Sequence, residues 1–316
     1  MYWRFYSMST VAIVMATYNG EKYVVEQIDS ILSSNYQDFE LFIYDDGSSD
    51  STISIIKSYE LQNPSKVHLF QNEKNLGLVR NFLEALSKTT MDYVMFCDQD
   101  DVWQGNKIGL TLKRMRNMEA QYGKDKPFAV FTDATIVDQE LQEMYPSFFE
   151  SNHLNPSNTD LPHLLMENKL IGCTVMVNAA LRKILQSNRL PQSAKYHDWW
   201  VALIASSFGK IGFVNESTLL YRQHSGNIVG GADFVSYTKN RLQSLHHQKV
   251  AILSLEKQAE EFVNLYGEQL SAEKRMIIQT FAELQEAGFL QKRQIILKKH
   301  YLKTGLIRNV GLLIII

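Results

Sequence analysis

Cysteine is scarce in this 316-residue chain: only 2 occur, Cys97 and Cys173. Each sits in an apolar run, so both read as buried thiols, with neither a disulfide framework nor zinc-ligand spacing. That pattern suits a reducing, cytoplasmic setting. Long apolar runs are also missing. No stretch reaches the roughly 18 residues of a membrane span, and the opening Met1-Tyr2-Trp3-Arg4-Phe5-Tyr6 lacks the apolar core of a secretion signal. Charge excess is missing too: a net charge of −2 gives no global reason to expect a nucleic-acid partner. Internal repeats and low-complexity tracts are lacking. So is a glycine-rich phosphate loop of the GxGxxG or GxxxxGK type, so a bound phosphate would need a metal. What remains is an ordinary soluble composition, 45% hydrophobic and 21% charged, long enough for one large domain and an appendage.

The stretch that stands out is Tyr93-Val94-Met95-Phe96-Cys97-Asp98-Gln99-Asp100-Asp101. Its apolar half reads as a buried strand. It ends in three carboxylates, and no basic residue follows until Lys107. Carboxylates crowded on a strand end repel one another unless a cation sits among them, and hard oxygen donors suit Mg²⁺ or Mn²⁺ better than Zn²⁺. The competing account is a solvated acidic turn that caps the next helix.

Upstream, apolar strands are predicted at Val11 to Ala16, Phe39 to Tyr44 and Val67 to Phe70. Between them lie helical spacings over Glu21 to Ser33, after a cap at Asp50 or Ser51, and at Leu78, Phe82 and Leu86. This alternation predicts an α/β fold of βαβ units on a mainly parallel central sheet with flanking helices. Ligands of such sheets bind outside the carboxyl ends of the strands. Thr17-Tyr18-Asn19, Asp45-Asp46 and Asp98 to Asp101 should therefore meet at one crevice. Further on come a helix over Lys107 to Tyr122, a strand over Phe128 to Val137, a loop over Tyr145 to Asp160 and an apolar run over Leu170 to Val177. Asn178 is placed to cap the helix after that run, and a strand pair between Ile211 and Tyr221 closes the series.

Two adjacent tryptophans follow His197 and Asp198 at the start of an apolar helix. Trp199 and Trp200 beside a carboxylate form a pattern suited to holding a sugar ring, and equally suited to a core helix whose Asp offsets the helix dipole. At Tyr221-Arg222-Gln223-His224, Arg222 can answer a phosphate charge and His224 can complete a metal shell.

Taken in order, Ala16-Thr17-Tyr18-Asn19-Gly20, Asp45-Asp46-Gly47-Ser48-Ser49-Asp50, Asn75-Leu76-Gly77 and Asp98-x-Asp100 resemble the family 2 inverting glycosyltransferases of GT-A fold, from Thr10 to about Gly231. Cys97 to Trp103, Gly172-Cys173-Thr174, His197 to Trp200 and Tyr221 to His224 are similar to the bacterial rhamnosyltransferase-like branch, which builds surface polysaccharides. The resemblance implies that Thr17, Tyr18, Asn19, Asp45, Asp46, Asn75, Gly77, Arg80, Asp98 and Gln99 bind the nucleotide sugar. Asp46 would accept from a pyrimidine imide, and Asp98 would contact the ribose or donor sugar. It further implies Asp100 and His224 as ligands of Mn²⁺ or Mg²⁺, with Arg222 on the diphosphate. Asp198 would be the catalytic base, with His197 as its rival, and Thr174, His197, Trp199 and Trp200 would face the acceptor. Gln99 stands where some relatives carry an acid. The donor would be a UDP- or dTDP-linked hexose, and the acceptor a glycan, a lipid-linked sugar or a glycoprotein. Two other readings are a sugar-phosphate nucleotidylyltransferase, which would need a basic glycine-rich loop after the first strand, and a non-catalytic scaffold of the same fold.

A domain boundary is expected near residue 232, with a helical extension over 233–316. Its helices are predicted near Phe234 to Tyr266, Ala272 to Ala287 and Leu290 to Tyr301. No acid follows Glu286, while Lys292, Arg293, Lys298, Lys299, Lys303 and Arg308 accumulate before the apolar run Val310 to Ile316. This suits contact with an anionic membrane surface, making the protein peripheral on the inner face of the plasma membrane. It suits equally a bundle docked on the catalytic domain or on a second copy of the chain.

Overall fold

Seven residues without a charge, Val11–Thr17 (β1), leave nothing that needs water on either face, and the structure buries all of them at the centre of the sheet. The computed structural model describes residues 11–224 and 245–316, the side chains of 245–247 excepted. Three expectations lie outside these residues: the outer ends of the family match at Thr10 and Gly231, the domain boundary near 232, and the start of the tail helix at Phe234.

Phe39–Asp45 (β2), Val67–Gln71 (β3) and Tyr93–Cys97 (β4) join β1 in parallel, in the order β3-β2-β1-β4. The crossovers are the helices Val24–Leu32 (α1), Thr52–Gln62 (α2) and Leu78–Lys88 (α3). Each buries one apolar stripe on the sheet, such as Phe82, Leu83 and Leu86 of α3.

The sheet continues through Val102–Trp103 (β5), Phe128–Val137 (β6), Glu143–Tyr145 (β7), Met176–Asn178 (β8) and Lys210–Arg222 (β9). Beyond β4 the order is β8-β6-β9-β5, with β7 beside β6; β8 and β5 run antiparallel to their neighbours, and β6 pairs β9 in parallel. Lys107–Tyr122 (α4), Phe148–Ser151 (α5), Leu161–Met166 (α6), Ala179–Gln186 (α7) and His197–Phe208 (α8) complete this part. The whole is a GT-A-like layered α/β architecture.

Several local expectations are corrected. The run Leu170 to Val177 is not one strand: a 3₁₀ turn at Gly172–Thr174 interrupts it before β8. The loop Tyr145 to Asp160 contains α5, capped by the Ser147 side chain. The last strand pair is a single 13-residue strand, β9, whose register slips against β6 near Asp133. At α2 the Ser51 side chain makes no cap, and Asp50 instead accepts from Thr52 N at 3.0 Å. Asn178 caps α7 as expected, accepting from Leu181 N at 3.1 Å.

The tail is helical: Leu245–Tyr266 (α9), Ala272–Ala282 (α10), Phe289–Lys299 (α11) and Leu306–Ile315 (α12). It docks on the α/β part and shares its core. Trp200 of α8 packs edge-on against Phe262 of α9 with ring centroids 5.2 Å apart. Glu261 pairs with Arg189 at 2.6 Å and accepts from Gln192 N and Ser193 N.

Candidate active site

Parallel pairing fixes where the polar strand ends fall. Thr17 is level with Asp45, and Met15 with Cys97, so the chain leaves β1, β2 and β4 at one edge of the sheet. There a cavity of about 530 Å³ opens. Thr17, Tyr18, Asp46, Asn75 and Gly77 line one part of it; Asp98, Gln99 and Asp100 follow β4; Asn168, Gly172, His197 and Asp198 supply the rest.

Asp46 is buried and already occupied. Its Oδ1 accepts from Asn72 Nδ2 at 2.9 Å and from Leu76 N at 2.8 Å, and its Oδ2 accepts from Gly77 N at 2.8 Å. It therefore holds the Asn75-Leu76-Gly77 loop, where Gly77 has a φ of 78° that side-chain-bearing residues rarely adopt. One acceptor position on Oδ2 is left for a ligand. Gln99 clasps the neighbouring loop: its Oε1 accepts from Tyr18 N at 2.9 Å, and its Nε2 donates to Tyr18 O at 3.1 Å. An acid cannot make both bonds, which gives a reason for glutamine here. A Cβ on Gly20 would lie 2.2 Å from Gln99 Oε1, so that clasp also requires the glycine.

Three residues expected on the nucleotide sugar do not line the cavity. Asp45 accepts from Thr17 Oγ1, Gly47 N, Ser48 N and Ser48 Oγ, and so shapes the turn after β2. Asn19 accepts from Ser49 N at 2.8 Å, tying the first loop to the second. Arg80 faces solvent and pairs with Glu84 one helical turn on, at 2.7 Å. Short polar side chains at strand ends bond their own loops as readily as a ligand.

The acidic cluster is crowded. Burial, and then the charges of Asp101, Asp100 and Asp198, push the Asp98 carboxyl well above its usual range. Burial and Asp100 push Asp101 up to about 7. Asp101 Oδ1 accepts from Arg222 N at 3.2 Å, while its buried Oδ2 has no partner among the described residues. Burial pushes Lys107 down to about 8, against the pull of Asp101 and Asp98. These groups fit a divalent cation. His224 Nε2 lies 2.8 Å from Asp100 Oδ2, close to the spacing of adjacent ligands around an ion with bonds of about 2.0–2.1 Å. Asp98, Asp101 and Cys173 also converge, with ligand atoms within 4.8 Å. Burial raises the Cys173 thiol well above its ordinary range and keeps it protonated, so it is a poor ligand for a hard cation.

Arg222 is another correction. Its guanidinium is buried outside the cavity, donating to Asp100 O at 2.9 Å and Gln139 O at 2.6 Å and pairing with Glu26. It braces the Asp100 backbone. His224 stacks on Tyr23 with ring centroids 4.9 Å apart, which fixes its imidazole beside Asp100.

Asp198 opens α8. Its Oδ1 accepts from its neighbour Trp199 N at 2.7 Å, and its Oδ2 accepts from Asn168 Nδ2 at 2.9 Å. Burial outweighs both bonds and pushes its carboxyl up to about 6. His197 lies between Phe82, stacked at 4.0 Å, and Phe96, edge-on at 4.8 Å. Neither ring nitrogen has a partner among the described residues, and burial pushes the imidazole down to about 3. It stays neutral and is a poor proton acceptor. A Cβ on Gly172 would lie 2.9 Å from His197 Nε2, so glycine lets that turn close on the ring.

The tryptophan platform is not built. Trp200 is fully buried in the α8–α9 contact, and buried Trp199 donates its indole N–H to Leu164 O at 2.5 Å. Thr174 is buried too, donating to Ile171 O within the 3₁₀ turn. Residues not singled out from the sequence line the cavity instead, among them Asn168 and Lys169. The polar pair Asn168-Lys169 before an apolar run is the one sequence trace of them.

The family model described as Glycosyl transferase family 2 matches residues 12–174. The dTDP-rhamnosyl transferase RfbG of Shigella flexneri is 27% identical over 226 residues, 68% of this chain and 73% of that protein. Among solved structures, residues 1–349 of S. aureus TarS superpose with a TM-score of 0.55 at 18% identity, covering 96% of this chain and 77% of that one. The mannosyltransferase PcManGT from Pyrobaculum calidifontis, in complex with GDP-Man and Mn2+, gives a TM-score of 0.52 at 16% identity, covering 92% and 73%.

Proposed function

The chain belongs to glycosyl transferase family 2 and is a hexosyltransferase, and on that premise we propose that it moves a hexose from a UDP- or dTDP-linked donor to a hydroxyl of a surface-glycan acceptor, with inversion. The observation that supports the reading is one cavity holding Asp46, Asp98, Asp100 and Asp198, contributed by three separate segments. The nucleoside binds against Thr17, Tyr18 and Asp46, on loops braced by Gln99 and Asn75. The sugar lies toward Asp98, between the diphosphate and Asp198. Asp100 and His224 would hold Mn²⁺ or Mg²⁺, and the cation would supply positive charge for the diphosphate leaving group.

Asp198 takes the proton from the acceptor hydroxyl. That oxygen bonds to the anomeric carbon as the bond from carbon to the diphosphate oxygen breaks, and the leaving group departs with the electron pair. A carboxyl at about 6 is ionised at neutral pH yet more basic than a free aspartate, which suits it to this task. The similarity to a dTDP-rhamnosyl transferase supports a dTDP-linked 6-deoxyhexose among the donors. The nucleotidylyltransferase reading fails on its own requirement, since Thr17-Tyr18-Asn19-Gly20-Glu21 is no basic glycine-rich loop.

Thermal shift with Mn²⁺ against dTDP-, UDP- and GDP-sugars tests the reading. A rise in Tm with a dTDP- or UDP-sugar, together with metal-dependent release of the nucleoside diphosphate, is the expected result. Stabilisation by none of them, or binding without any release, overturns it in favour of a scaffold.

A further inference from the structure

Large apolar side chains left in water are concentrated at the end of the chain. On α12, Leu306, Ile307, Val310 and Ile314 are between 51% and 80% exposed, while Leu312 and Ile315 on the opposite face are buried. A helix apolar on both faces is normally covered on both. On α11, Phe289 and Leu290 are 69% and 70% exposed, and the Arg293 guanidinium lies over the Phe289 ring at 3.6 Å. Charge identifies the cover. Residues 287–316 contain no acid, and α11 alone carries Lys292, Arg293, Lys298 and Lys299. A second copy would set these like charges against one another, whereas an anionic bilayer would neutralise them.

The geometry points to α11 and α12 as a docking face for an anionic lipid bilayer, which presents a membrane-held, lipid-linked acceptor to the cavity. The link to the cavity is direct. Thr304, two residues before Leu306, accepts from Lys169 Nζ at 2.7 Å and donates its N–H to Glu167 at 2.8 Å. Arg308 bonds Glu167 at 3.1 Å and Asn152 O at 2.7 Å. The clamped segment, residues 167–169, includes Lys169 of the cavity wall and Asn168, which holds Asp198. The exposed apolar face therefore begins beside the base side of the site. The identity of the acceptor class rests on the transferase reading above; the docking itself does not.

Flotation of the full chain with phosphatidylcholine vesicles, with and without phosphatidylglycerol, tests the docking. Binding is expected only with phosphatidylglycerol and is expected to weaken as salt rises. It should drop about tenfold or more in K298E/K299E and disappear in L306S/I307S/V310S. Lys299 is half-buried, the other four side chains are exposed and none lines the cavity, so nucleoside diphosphate release in solution should be unchanged in both variants, which separates failure of docking from failure of the transferase reading. Equal binding to neutral vesicles, no difference between the variants and the parent, or a dimer dispersed by L306S/I307S/V310S in the absence of lipid would overturn the proposal.

Discussion

Asn168 Nδ2 donates to Asp198 Oδ2 at 2.9 Å, across 30 residues of chain, and thereby lowers the pKa of a carboxyl that burial raises to about 6. The second bond to this carboxylate comes from its neighbour, Trp199 N donating to Asp198 Oδ1 at 2.7 Å. The two bonds hold the carboxylate in one direction and lower its proton affinity against the effect of burial.

Removing the amide should therefore move the acid limb of the rate profile. In Asn168→Ala the Asp198 carboxylate loses a donor, its pKa rises, and activity should fall off at higher pH than in the parent. Rates measured across pH check this, and an unmoved limb with a uniformly lower rate would reduce Asn168 to a packing role.

Asp198→Asn should abolish transfer, leave nucleotide binding nearly intact and raise stability at neutral pH. The sign follows from linkage. A carboxyl raised from 3.8 to about 6 on folding binds its proton more tightly in the folded state. Its contribution to stability is full below 3.8 and is lost as pH rises through about 6, at a cost of roughly 3 kcal/mol above it. The Tm advantage of the variant should be present at pH 8 and shrink toward pH 4. A variant less stable than the parent at pH 8 would contradict the argument.

Gln99→Glu should weaken donor binding. The change replaces the bond to Tyr18 O with a repulsive contact between oxygens and adds charge beside Asp98 and Asp100. A loss of about 1–3 kcal/mol in nucleotide-sugar affinity is expected, read by titration calorimetry; unchanged affinity would detach the clasp from the nucleotide loop.

His224→Ala should raise the Mn²⁺ concentration needed for half-maximal activity, by about tenfold or more. The ring meets Asp100 and stacks on Tyr23 at that position. A variant with the parent's metal dependence would assign His224 to packing.

Trp200→Ala should cost about 3–5 kcal/mol in unfolding free energy, because its ring is the α8 side of the contact with Phe262 and Tyr266. Denaturant unfolding measures the loss. The acceptor KM of the folded enzyme should stay at the parent value.

The order of strands and helices, the carboxylate cluster after β4 and the family pattern were legible in the sequence because each is a local signal: apolar periodicity, a polar strand end, or a run of neighbours. Asp46, Asp100 and Asp198 could be picked out for the same reason. The roles of Trp199, Trp200, Thr174, Arg80 and Arg222 could not, since a side chain's type does not say which way its backbone aims it. Trp200 is core only because α9, some sixty residues later, lies against it; Arg222 is a brace only because Glu26, Gln139 and the Asp100 carbonyl converge on it. Asn168 became part of the site when the fold carried it to Asp198. Sequence by itself determined which chemistry the chain can carry, because residue types and strand-end spacing are written locally. Tertiary structure alone decided which of those groups share a cavity, because burial and long-range contact depend on elements far apart in the chain.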